Sequence, residues 1–71
     1  MTKDFVGRYE AYCKERLELA KAKKTDKNVV QMCSTMAFGA GWFLIDQYSA
    51  FKEINPIWDV YHEEFRKLGA I

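Results

Sequence analysis

The stretch from Val29 to Phe51, VVQMCSTMAFGAGWFLIDQYSAF, limits this chain more than any other part of it. It is too long for one strand and contains no proline. Its strong helix formers, Met32, Met36, Ala37, Ala40 and Leu44, are spread along it, which predicts a helix. On a wheel at about 100° per residue, Met32, Met36, Phe43, Ala40, Cys33, Phe51, Leu44, Ala37, Val30, Val29 and Tyr48 share one broad face, interrupted by Gln47. Gln31, Thr35, Ser49 and Asp46 form a narrow polar stripe opposite, with Phe38, Trp42 and Ile45 at its borders. A helix that is apolar over most of its girth is a central one, covered on several sides. At about 1.5 Å per residue it is about 35 Å long.

A membrane span needs about 20 apolar residues. The longest unbroken apolar run here, Met36 to Ile45, is about half that and ends at Asp46. The N-terminal MTKDFVGRYE lacks the apolar core and cleavage pattern of a signal peptide. The expectation is a soluble, cytoplasmic chain with no membrane association.

A chain of 71 residues makes one domain, spanning 1–71. So short a chain struggles to bury a sizeable core without staples, a metal or a partner subunit. With half its residues apolar and 15% aromatic, it is not a disordered segment. The overall charge of +1 gives no global attraction to nucleic acid or membrane surfaces. The charge is unevenly distributed. Residues 1–28 carry eight basic and five acidic side chains, net +3, and residues 29–71 carry three and five, net −2.

Before the central stretch, residues 3–24 read as a helix. Thr2 is a suitable N-cap and Asp4 suits the positive end of the helix dipole. Phe5, Tyr9, Tyr12, Cys13, Leu17 and Ala20 form its apolar face, and the Glu10–Lys14 pair supports the wet one. Arg16 falls inside the apolar stripe. It either snorkels with its guanidinium over a tyrosine or belongs to a buried ion pair or anion site. Thr25–Asn28 is a short connection in which Asp26 or Asn28 caps the second helix, 27–52. So short a link forces the two helices antiparallel, with level positions summing to about 52. In that register the thiols of Cys13 and Cys33 lie roughly 9 Å apart along the axis, too far for a disulfide. Asn55 followed by Pro56 is a strong start signal for a third helix over 56–68, and Gly69 is a natural stop. The fold class is therefore all-α: an antiparallel helical hairpin plus a shorter third helix, a three-helix bundle completed by self-association.

No catalytic constellation emerges. Asp59 and His62 make one DxxH pair on a wet helix face, short of the paired motifs that a bundle metal site needs. Neither cysteine has a histidine near it in sequence, so no metal or cofactor is expected. The basic segment Lys14–Lys27 offers an alternative, a small nucleic-acid-associated regulator, but its charges do not share a face and acids dilute them. The better reading is a protein-interaction or accessory module, without catalytic activity, that binds itself or another protein. Phe38, Trp42 and Ile45 recur at i, i+4, i+7 on a side the first helix does not need. Together with Gly41, Val30 and Ser34 they are the candidate interface, unless the third helix covers them. In an α2–α3 register summing to about 107, Trp42 meets Phe65.

Overall fold

The computed structural model of the chain describes residues 4–70. Within them lie three α-helices and no strand: α1, Asp4–Ala22; α2, Lys27–Tyr48; and α3, Phe51–Lys67. The expected N-cap at Thr2 lies outside the described residues. The helices run up, down and up in a rod 42 Å long and 17 Å across, which is about two helix diameters.

α1 carries Asp4 in its first turn and Lys21 in its last, both complementing the helix dipole. Its buried residues, Tyr9, Cys13, Leu17 and Ala20, follow the helical repeat expected from sequence. The helix stops at Ala22, two residues before the expected Lys24. The reversal is tight. The Asp26 N–H donates to the Lys23 carbonyl at 2.9 Å. The Asp26 carboxylate then accepts from the backbone N–H of Asn28 and Val29 at 3.1 and 3.3 Å. Asp26, not Asn28, is thus the N-cap of α2, satisfying two of the donors that a helix start leaves unpaired.

α2 ends at Tyr48, four residues short of the expected 52. Ser49 takes the left-handed conformation, φ 50° and ψ 44°, which halts the helix and turns the chain. Ala50 sits fully buried at the elbow, and its carbonyl accepts from Glu53 and Ile54 at 3.1 and 2.9 Å. α3 has therefore already begun at Phe51, five residues before Pro56, and the Asn55–Pro56 start signal is overridden. Pro56 lies inside the helix and removes the N–H that would bond the Lys52 carbonyl. Both residues are exposed, so water can take that carbonyl. The early start brings Ile54 into the core, where it is fully buried. The far end of α3 closes as expected at Gly69, φ 85°. The Gly69 N–H bonds the Arg66 carbonyl and the Ala70 N–H the Phe65 carbonyl, a Schellman motif.

The two-residue link between α2 and α3 changes their register. Trp42 faces Trp58, with ring centroids 5.1 Å apart, and Phe38 lies against Trp58, His62 and Phe65. Contacting positions sum to about 100 rather than 107, a shift of two turns, so Trp42 does not meet Phe65. The core is built around Phe65, Ile54, Val30 and the two free thiols Cys13 and Cys33, all essentially inaccessible.

Candidate interaction surface

The three helices are tied at one hydroxyl. Tyr9 lies on the apolar face of α1 and is 4% exposed. Its Oη donates to the Ala37 carbonyl at 2.6 Å and accepts from the Trp58 indole Nε1 at 2.8 Å. Gly41 makes room for this pair. A Cβ there would lie 2.6 Å from Tyr9 Oη and 2.8 Å from Trp58 Cε2, inside any ordinary contact. Burial, with a smaller push from the neighbouring Cys13, raises the Tyr9 phenol far above its usual range, and the Trp58 hydrogen bond opposes it only in part. Burial likewise raises the Cys13 thiol, and the neighbouring Tyr9 hydroxyl opposes it only in part. The Tyr61 phenol is raised, by burial first and then by the acidic groups near it, Cys13, Glu10, Glu18 and Glu64.

The residues singled out from sequence divide into two groups. Val30, Ser34 and Gly41 are buried by the chain's own helices. Phe38 and Ile45 are half-buried against the core. Trp42 leans on Trp58 yet stays 59% exposed. α3 thus occupies most of the side on which the candidate interface was placed. What remains there is an open cleft of about 410 Å³ lined by Phe38, Trp42, Trp58, Asn55, Asp59 and His62. Asp59 and His62 have no third ligand: among the described residues no group of three or more His, Cys, Asp or Glu is placed to hold a metal.

The larger apolar surplus lies on the other side of α2. The residues that α2 buries are Val30, Cys33, Ser34, Ala37 and Gly41, all small. Three of its large side chains point outward instead: Met32 is 53% exposed, Met36 39% and Phe43 60%. On the helical wheel these three share one broad apolar face with buried residues such as Cys33 and Ala37, and a wheel shows which residues share a face but not which part of a broad face is covered. The signal that separates them is size, since small residues let helices approach closely. Beside Phe43 a groove of about 320 Å³, almost wholly apolar, runs between α1 and α2. Phe5, Arg8, Tyr12, Ala40 and Leu44 also line it. At its end Phe5 stacks on Tyr48, centroids 4.8 Å apart, next to the exposed Phe51.

Arg16 is mostly covered. Its guanidinium lies 5.4 Å from the centre of the Tyr12 ring and 2.6 Å from the Glu15 carboxylate, while Nε is buried without a hydrogen-bond partner. Stacking on a tyrosine with one edge toward an exposed acid matches the snorkelling alternative more closely than a buried pair. Within the basic segment, Lys21 lies 3.9 Å from Glu64 across to α3. On α3 the Glu63 carboxyl is held below its usual range, chiefly by hydrogen bonds from Arg66.

By length and composition α2 is long and apolar enough to cross a membrane, and only 28% of its most apolar window is buried in the chain. The expectation of no membrane association counted only the unbroken run Met36–Ile45. The whole helix carries no charge from Asn28 to Ile45, with Gln31, Ser34 and Thr35 diluting it. Comparison with known protein families, curated proteins and solved structures returns no match.

Proposed function

We propose that this chain is a small helical protein-interaction module, without catalytic activity of its own, whose native species is a homo-oligomer joined through the apolar face of α2. One observation carries the reading. The longest helix turns its small residues inward and leaves Met32, Met36 and Phe43 in water. Each is about half exposed, so leaving it unburied forgoes about 1 kcal/mol, and the three together are a large amount for a domain whose total stability is about 5–15 kcal/mol. The non-catalytic half of the reading draws on the thiols. Both are buried, and Cys13 is raised away from the reactive thiolate form. Buried free thiols also suit a reducing, cytoplasmic setting.

Sedimentation or light scattering across a range of concentrations tests the proposal. The expected result is a mass above that of one chain at about tens of micromolar, which corresponds to roughly 6 kcal/mol or more of association energy. A strictly monomeric mass there removes the reading.

A further inference from the structure

On the strength of that reading, we propose that the partner is a second copy of this chain, packed antiparallel on the outer face of α2 with the helices crossing at Met36 and Gly39. Gly39 is the first support. Glycine inside a helix costs about 1 kcal/mol relative to alanine, and nothing in the chain explains its presence. A Cβ at Gly39 meets no atom within 4 Å, whereas Gly41 is required by Trp58 and Tyr9. A residue without a side chain, in the middle of an exposed apolar stripe, admits the close approach of another backbone.

The second support is spacing. Met32, Met36, Gly39 and Phe43 are separated by four, three and four residues, the alternation of a coiled-coil seam. The set is also its own mirror along the helix. When positions summing to 75 are paired antiparallel, Met36 faces Gly39 of the second copy and Phe43 faces Met32. Every contact is then made twice by a single two-fold axis, as an isologous dimer requires. Parallel pairing would set Gly39 on Gly39 and Phe43 on Phe43, leaving a gap at one level and crowding at another.

Charge is the third support. Arg8 and Glu15 are exposed on α1, two turns apart on one face, and Arg8 lines the groove beside Phe43. Ala22 ends α1 and Lys27 begins α2, so level positions in the hairpin sum to about 49. The two-fold that pairs α2 at 75 then pairs α1 positions summing to about 23, which brings Arg8 of each copy level with Glu15 of the other, the carboxylate that Arg16 of its own chain also holds at 2.6 Å. Parallel pairing would bring Arg8 to Arg8. The area fits a weak dimer. A face as long as α2, about 33 Å, and as wide as the rod, 17 Å, offers on the order of 500 Å² per copy, about 1,000 Å² in all, the size of a weak, reversible contact.

The test is equilibrium sedimentation of the full chain from about 1 to 100 µM, with circular dichroism to confirm that each variant is folded. Phe43→Lys and Gly39→Leu should each raise the dimer dissociation constant about tenfold or more. Gly39→Leu should at the same time raise the melting temperature of dilute, dissociated protein, because the site is open in the monomer. Arg8→Glu should weaken the dimer several-fold, and Arg8→Glu combined with Glu15→Arg should restore it. A dimer that Phe43→Lys and Gly39→Leu leave intact overturns the seam and the α2 face as the joint, while self-association itself survives. A dimer that depends on Phe43 but is not rescued by the charge swap overturns the antiparallel pairing. A monomer at every concentration overturns both the seam and the module reading. A monomer that binds phosphatidylcholine vesicles, and loses that binding with Phe43→Lys, overturns both and assigns the face to a lipid surface.

Discussion

Tyr9 uses one hydroxyl to hold three helices, donating to α2 and accepting from α3. Tyr9→Phe keeps the ring but leaves the Trp58 indole without its acceptor, and should cost about 1–3 kcal/mol in denaturant unfolding at neutral pH. The same residue sets a pH dependence. A phenol raised in the folded state stabilises the fold fully below its ordinary value, about pH 10, and that stability is lost as pH rises through the folded value. Cys13 acts in the same direction from about pH 8.5. Stability should therefore fall on the alkaline side, and Tyr9→Phe should flatten the part of the decline above about pH 10. Urea midpoints measured along a pH series check both effects. The sequence located Tyr9 on the inner face of α1, and the i, i+4 repeat through Cys13 and Leu17 made that legible. Its hydroxyl partners were not legible, because they depend on the Gly41 gap and on a register that no local signal encodes.

Among the elements, α3 shows how a local signal loses to packing. Asn55–Pro56 is a sound start motif, yet beginning there would leave Ile54 in a linker. Starting at Phe51 buries Ile54 completely, worth about 1.5–3 kcal/mol, and the fold accepts a proline in the second turn in exchange. Pro56→Ala restores the missing backbone donor and removes the ring's clash with the Lys52 carbonyl, while loosening the unfolded chain by about 0.4–1 kcal/mol. The net expectation is a gain of about 1–2 kcal/mol in thermal or urea unfolding. No gain would mean that the α3 backbone bends around the proline without strain. The existence and type of all three helices were readable from periodicity and from the Asp26 and Gly69 signals. The α2–α3 register was not, since it follows from where α3 begins. The outward side of α2 was hidden for a different reason. Its wheel is apolar over most of its circumference, so hydrophobicity alone could not say which sector the other two helices would take.

At the scale of the whole molecule, a rod only 17 Å wide has room for a thin core, to which α2 contributes small residues packed around Phe65 and Ile54. Such a core has little to spare, so association should appear in the stability itself. If the native species is a dimer, the thermal midpoint should rise with protein concentration, by about 3–5 °C for each tenfold increase in a domain of this size. Calorimetry at several concentrations measures this directly, and a midpoint independent of concentration opposes the dimer. The thin core has a further effect, because Cys13 and Cys33 form part of its centre. Neither sulfur meets solvent while the helices are docked, so an oxidant or alkylating reagent captures only molecules that have opened. Each capture is then one-way, since a thiol carrying an added group no longer fits between the helices. In an oxidising medium the protein would drain steadily through its rare open state, at a pace set by how often the bundle breathes and not by the intrinsic chemistry of the sulfur.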